Sequence, residues 1–383
     1  MRDARAAPSV RRFPLDGGLL LLDASSGSLF AFNDAARHVW DLIVAGRSGD
    51  VLISEYAGWW GISASRAQDD VSAILDQWHE FGLLDGGARA EAPPRPAAAA
   101  AAGVHEPRRV SEWTCTIRGT AIRFAVENGA APTVRPLFAH LETPDARPQA
   151  RLEIRTASGG GMLLVQDGVE RIRTDDSGLL AGALQQAVLE RIHGDVAWLA
   201  LMHGAALARD GGGIGLAGPS GSGKSTLAAG LLQAGYDYMA DDMIALSAPD
   251  GAIMPWPMPL SIKPGSLDVV AARYPELARA PRYRTKDLEA RLLVPGEHAW
   301  NSVPAKLRTL VFPRFAAGAT GDLRRISTFE AVERLLADRI WLGYPLTEAR
   351  VAAFVTWLMD IPTYAVTYGE LDDGVRLIES MRE

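Results

Sequence analysis

The sequence predicts an α/β protein in which a small α+β module precedes a larger domain, and three observations carry that prediction. Residues 88–108 are rich in proline and alanine and almost devoid of large apolar side chains, so they divide the 383-residue chain as a linker. Before them, two short apolar runs around a turn are followed by helical patterns. After them, a strand-rich stretch gives way to alternating helices and strands. At about 100 to 200 residues per domain, a chain of this length has two to three domains and can bury sizeable cores.

In the first part, LLLLD from Leu19 and LFAFN from Leu29 flank the turn-forming ASSGS, which predicts a hairpin whose loop contains Gly27. Asn33 is placed to cap a helix in which Ala36, Val39, Trp40 and Ile43 share one face. A second helix is expected from Asp50 to Trp60. A third begins with Ser65 and Gln68 in capping-box spacing, carries Val71, Ile74, Leu75 and Trp78 on one stripe and ends at Gly82. Residues 1–87 therefore read as a hairpin with three helices. In the linker, Pro93, Pro94 and Pro96 keep the backbone extended.

The larger domain, residues 109–383, opens with a β-rich lobe from Val110 to Arg173, punctuated by glycines. From Leu179 a helix over LLAGALQQAVLERIHG, a buried strand over GIGLAG, a helix over STLAAGLLQAG and a strand over YDYMA follow in turn, before a proline-broken stretch to Leu267. A strand in KLRTLVFPRF, helices over FEAVERLLADRI and TEARVAAFVTWLMD, a strand in PTYAVTYG and a last amphipathic helix complete it.

Composition excludes several functions. Lys and Arg number 39 against 46 Asp and Glu, a balance of −7, so no basic excess invites nucleic acid or an anionic membrane. The single cysteine, Cys115, permits neither a disulfide framework nor a cysteine-built metal centre within one chain, which suits a reducing cytoplasm. The apolar runs, such as Leu19 to Leu22 and Val196 to Met202, fall far short of the roughly 18 residues of a membrane span, and Arg11 and Arg12 precede no secretory segment. The expectation is a soluble cytoplasmic protein.

The strongest chemical signal is GPSGSGKS followed by threonine: Gly218, Pro219, Ser220, Gly221, Ser222, Gly223, Lys224, Ser225 and Thr226. It satisfies G-x-x-x-x-G-K-[ST] between a strand and a helix, the context in which backbone N–H groups and a helix N-terminus converge on phosphate oxygens. Lys224 is expected to reach the β and γ phosphates of ATP, and the Ser225 hydroxyl to join the shell of Mg2+. Asp241 and Asp242 follow the YDYMA strand, which should end near the loop. One acid of the pair can hold magnesium and the other can serve an acceptor, provided the strand stops at Ala240 so that both can face one site. His203, in ALMHGAAL, is a secondary candidate, since a lone histidine in an apolar stretch is more often a core residue. The histidines show no H-E-x-x-H spacing. The run Arg282, Tyr283, Arg284, Thr285, Lys286 reads equally as a phosphoryl-stabilising cluster and as a solvated loop, and Lys263 sits in an ordered turn.

The succession of His203–Gly204, Gly218 to Thr226 and GYDYMADD from Gly235 to Asp242 resembles the HPr kinase family, more closely its shorter kinase relatives. The resemblance spans roughly Val110 to the C-terminus and is specific around those three motifs. It implies a variant P-loop fold related to phosphoenolpyruvate carboxykinase and phosphoryl transfer from a nucleotide to a serine hydroxyl. Carried over by motif, Asp241 would be the general base, Asp242 and Ser225 would serve magnesium, and His203 would support the acid. The family's E-x-R-G-x-G segment after the aspartate pair is replaced here by MPWPMPLSIKPGSL, so the resemblance does not extend to HPr as acceptor or to reverse phosphorolysis. Members often form rings or dimers, which leaves a homo-oligomer open.

The first module, through FNDAARHVWDLI and DVSAILDQWHEFGLLD, resembles the PqqD family of peptide-recognition domains, with a winged-helix-like α+β fold. That resemblance implies docking of a precursor peptide's leader as a strand added to a sheet edge on residues 1–87. A winged-helix DNA reader is opposed by charge: residues 1–85 hold 7 Arg, no Lys and 12 Asp plus Glu, a balance of 7 − 12 = −5. Together the two resemblances imply a kinase that uses ATP to phosphorylate a serine or threonine of a docked precursor peptide. The alternatives are a kinase of another protein or a small molecule, and a nucleotide-hydrolysing peptide chaperone or switch. No LSGGQ-like signature follows the loop, which opposes an ABC-type ATPase.

Overall fold

The structure, a computed structural model, describes residues 4–87, 109–127, 129–157, 160–284, 289–338 and 340–381. The expected linker, residues 88–108, and Thr285 and Lys286 of the basic run lie outside the described residues. The described residues fall into two compact units, one from Met1–Pro94 with Arg325–Thr363, the other from Arg95–Arg324 with Tyr364–Glu383.

The first unit opens with three antiparallel strands in the order β1-β2-β3: β1 (Val10–Leu15), β2 (Gly18–Asp23) and β3 (Ser28–Asn33). The expected hairpin is β2 and β3. The third strand, β1, was hidden in the sequence because Arg11, Arg12 and Pro14 interrupt its apolar alternation; proline is tolerated there because β1 is an edge strand. Three helices follow, α1 (Asp34–Val44), α2 (Gly49–Trp60) and α3 (Ala64–Glu80). Asn33 caps α1 as expected, its side chain accepting from the Ala36 N–H at 3.0 Å. Helix α3 is capped by Ser63, whose hydroxyl accepts from the Arg66 N–H, rather than by Ser65, which already lies inside the helix. Leu19, Leu21 and Phe32 pack with Val39, Trp40, Val71 and Trp78 in one core on this face of the sheet.

The second unit begins with a five-stranded sheet in sequence order: β4 (Val110–Ile117), β5 (Thr120–Glu127), β6 (Ala150–Thr156), β7 (Met162–Gln166) and β8 (Val169–Thr174), with α4 (Ala131–Phe138) between β5 and β6. Helix α5 (Ser177–His193) lies on β7 and β8. The main sheet then takes β9 (Trp198–Met202), β10 (Gly204–Arg209) and β11 (Gly212–Ala217), followed by α6 (Lys224–Gln233), β12 (Asp237–Ala240), β13 (Ile244–Ser247) and β14 (Ala252–Met254). Strand β15 (Leu260–Ile262), helix α7 (Leu267–Ala271), and strands β16 (Arg282–Arg284) and β17 (Glu289–Leu293) form a small layer with sheet order β15-β17-β16. Strands β18 (Ala305–Phe315) and β19 (Asp322–Arg325) close this stretch.

The chain then returns to the first unit with α8 (Thr328–Ala337), β20 (Ile340–Trp341) and α9 (Glu348–Met359). Arg325–Thr363, expected within the domain of residues 109–383, groups instead with the first module. Alternation explains why it belongs there. Phe13, Leu15, Leu20 and Leu22 point away from α1–α3, yet all are buried. Helix α8 lies against β2 and β3 and α9 against β1, covering that second face. A Cβ on Gly18 would sit 2.2 Å from the Phe329 ring, so glycine is required where α8 approaches the sheet. Strand β2 is consequently buried at all six positions.

Finally β21 (Thr363–Tyr368) pairs with β18 and β19, and α10 (Leu371–Ser380) packs on α6. In the main sheet the order runs β12-β10-β11-β18-β14-β13-β9. Strand β10 is antiparallel to both β11 and β12, so β11 and β12 run the same way and end at the same edge of the sheet, where β10 begins. No helix among the described residues is long and apolar enough to cross a membrane.

Candidate active site

That shared edge gathers the chemistry. The loop from Gly218 to Gly223 leaves β11, the aspartate pair leaves β12, and His203 immediately precedes β10. The loop winds through left-handed backbone at Gly221 (φ 88°) and Gly223 (φ 103°). Glycine is further required at 223 because a Cβ would lie 2.3 Å from the Tyr368 hydroxyl, which donates to the Gly223 carbonyl at 3.2 Å. The Phe315 N–H donates to the Ser222 carbonyl at 3.0 Å, so β18 and β21 both brace the loop. Lys224 opens α6 and is buried, its Nζ donating to the carbonyls of Gly218 and Pro219.

The Ser225 hydroxyl lies 3.0 Å from each oxygen of Asp241. Asp241 is only 2% exposed and also accepts from the Ser261 N–H on β15 at 2.9 Å. Burial pushes its carboxyl up to about 6, with the charge of Asp242 adding to the rise and the Ser261 N–H and Ser225 hydroxyl opposing it. Strand β12 ends at Ala240, and Asp242 adopts φ 68°, turning outward where Asp241 turns inward. Asp242 accepts from Gln185 Nε2 of α5 at 3.1 Å, and His203 Nε2 stands 3.7 Å from it, beyond hydrogen-bond length. Ser225 therefore lies against Asp241, while His203 stands beside Asp242.

Two contacts strap the loop to the small layer. Lys263 Nζ bonds the Ser220 hydroxyl, and Thr226 Oγ1 donates to Ser266 Oγ at 2.8 Å. Of the basic run, Arg282 and Arg284 are exposed on β16, while Tyr283 is buried and its hydroxyl pushed up to about 12, Asp242 contributing to the shift after burial. Gln185 and Tyr368 were not singled out from sequence. Gln185 had one signal, a polar residue on the buried stripe of an apolar helix; Tyr368 reaches the loop only through tertiary packing.

The site fits a magnesium nucleotide on its donor chemistry. A hydroxyl and a carboxylate lie side by side as hard oxygen donors, and the buried Ser222 hydroxyl has no hydrogen-bond partner among the described residues. No cluster of three or more His, Cys, Asp or Glu side chains suited to a metal occurs among the described residues. A magnesium ion does not need one, since it is usually held by one or two carboxylates with phosphate oxygens and water.

A second feature lies in the first unit. Strand β3 pairs with β2 along one edge, and its other edge has no strand partner among the described residues. Beside that edge runs a groove of about 490 Å³ lined by Phe30, Phe32, Ile74, Trp78 and Phe81 and by the end of α8. Phe30 stacks on Phe81 at 5.4 Å and Phe32 on Trp78 at 4.6 Å between ring centroids, which fixes its aromatic floor.

Comparison with known proteins bears on this first unit. Residues 18–84 match the family described as coenzyme PQQ synthesis protein D (PqqD), so the chain carries a PqqD-like domain running from β2 to just beyond α3. No curated protein matches the chain. Among solved structures, TbiB1 in complex with the TbiA(beta) leader peptide is similar at 18% identity over 22% of this chain and 99% of that one, with a TM-score of 0.21. Lasso peptide synthetase B1 complexed with the leader peptide is similar at 23% identity over 21% of this chain and 96% of that one, also with a TM-score of 0.21.

Proposed function

We propose that the protein is an ATP-dependent kinase that phosphorylates a serine or threonine hydroxyl of a ribosomally made precursor peptide whose leader docks on the first unit. The observation that carries the catalytic half is the meeting of a complete phosphate loop with two differently placed acids, Asp241 on Ser225 and Asp242 beside His203, at one edge of one sheet. The docking half is supported by the PqqD-like residues 18–84 and by the unpaired edge of β3 above an aromatic floor.

In this reading Ser225 and Asp241 hold magnesium, which when bound neutralises charge on the transferring phosphate. Lys224 exchanges its loop carbonyls for phosphate oxygens. Asp242, held by Gln185 and open to solvent, is the acid that faces the acceptor and takes its proton, with His203 beside it. This exchanges the roles that motif resemblance gave the two aspartates. An ordinary carboxylate suffices, because the acceptor proton leaves late in a loose transition state. Docking supplies the remainder: a leader held on the first unit raises the local concentration of acceptor to about millimolar, so the catalytic site needs little affinity of its own.

The test is mass spectrometry of the peptide fraction of a host extract incubated with Mg-ATP and either wild type or Asp242→Asn. A peptide that gains a phosphoryl group with wild type and not with the variant supports the proposal. ATP consumption with no phosphorylated peptide would favour a hydrolytic switch, and a phosphorylated metabolite would favour a small-molecule kinase.

A further inference from the structure

We propose that α8 forms the second wall of the peptide groove and reads the face of the bound strand opposite to α3, where Glu333 selects a basic side chain. The inference rests on the docking reading above and extends it to a helix that lies outside residues 18–84.

Alternation along β3 sets the geometry. Phe30 and Phe32 pair with Leu21 and Leu19 and face the α3 side, where they meet Phe81 and Trp78. Leu29 and Ala31 pair with Leu22 and Leu20 and face the other way, the side on which α8 covers the sheet. Leu336, Ala337 and Glu333 of α8 line the same groove. A peptide paired with β3 alternates in the same manner, so every second residue meets the aromatic floor and the residues between them meet α8. The six residues of β3 offer roughly 20 Å of edge at about 3.3 Å per residue, enough for both sets of contacts.

Charge completes the description of the occupant. Glu333 is exposed and is the single charged residue among the described groove lining. The surrounding module is acidic as well, at 7 − 12 = −5 over residues 1–85. One carboxylate, Glu333, on an otherwise apolar wall opposite an aromatic floor fits an extended peptide with apolar residues at i, i+2 and i+4 and Lys or Arg at i+1 or i+3.

The test is selection of a random twelve-residue peptide display library on the full-length protein, followed by fluorescence anisotropy of the enriched peptides. Wild type should enrich alternating apolar peptides with an intervening Lys or Arg. Glu333→Arg, a change at an exposed position, should shift enrichment to Asp or Glu and weaken the original peptides by about tenfold or more. Phe81→Glu, on the α3 side, should abolish enrichment altogether. If Glu333→Arg selects the same basic peptides while Phe81→Glu selects none, the role of α8 is overturned and the docking reading survives. If the folded wild-type protein enriches nothing, both are overturned.

Discussion

The Ser225 hydroxyl is shared between the two carboxylate oxygens of Asp241, 3.0 Å from each, whereas Asp242 next to it in sequence bonds Gln185. Adjacent acids thus occupy different environments, one buried against the phosphate loop and one half open to solvent. Different environments are what allow two carboxylates to divide metal binding and proton transfer between them.

Under the proposed division of metal binding and proton transfer, the two variants have opposite kinetic signatures. Asp242→Asn should lower kcat by about 10²- to 10⁴-fold and leave magnesium dependence nearly unchanged. Asp241→Asn should instead raise the magnesium concentration needed for half-maximal activity. Titration of activity with magnesium for both variants checks this, and identical curves would refute the assignment.

The buried acid also predicts a pH dependence of stability. Asp241 is raised from 3.8 to about 6 in the folded protein, so the folded state holds its proton more tightly than the unfolded chain. The resulting stabilisation is full below pH 3.8 and is lost as pH rises through about 6, amounting to at most about 3 kcal/mol. Melting temperatures of the nucleotide-free protein should therefore fall between about pH 4 and pH 7. Asp241→Asn should flatten that slope, and an unchanged slope would place its source elsewhere.

Lys263 bonds Ser220 of the loop, and in the proposed kinase it would exchange that bond for nucleotide phosphate. One charge-assisted bond is worth about 1.5 to 3 kcal/mol, so Lys263→Met should raise the KM for ATP by roughly 10- to 100-fold, and Lys263→Arg should recover part of it. Steady-state kinetics at saturating acceptor decide the matter; a change confined to kcat would argue against phosphate contact in the ground state.

Much of this was legible in the chain. The strand, loop and helix around residues 218–226 follow from glycine spacing and flanking apolar runs, and the cap at Asn33 follows from local hydrogen bonding. Strand β1 was not legible, because Arg11, Arg12 and Pro14 mask an edge strand in which only Phe13 and Leu15 are buried. Neither was the destination of α8 and α9: an amphipathic pattern tells which face of a helix is buried, never against which sheet. The one hint was LLLLD, an uninterrupted apolar run that a sheet covered on one face would not need. The different surroundings of Asp241 and Asp242 depend on a left-handed turn at a non-glycine residue, which residue type does not announce.

The second covering layer is itself testable. Phe329 of α8 is buried against Gly18 of β2, so Phe329→Ala should destabilise the first unit by about 3 to 5 kcal/mol. Hydrogen exchange at the amides of β2 should accelerate accordingly. If those amides exchange as slowly as in wild type, α8 does not support the sheet.

The fate of the γ-phosphate is the most direct measurement: labelled ATP consumed by wild type in the presence of the peptide fraction, against label recovered in peptide and in inorganic phosphate. For the proposed kinase, most of the label consumed appears on a peptide serine or threonine, and Phe81→Glu, a change in the groove of the first unit and not in the loop of residues 218–223, lowers that share. Label recovered only as inorganic phosphate, with or without peptide, would contradict the proposal.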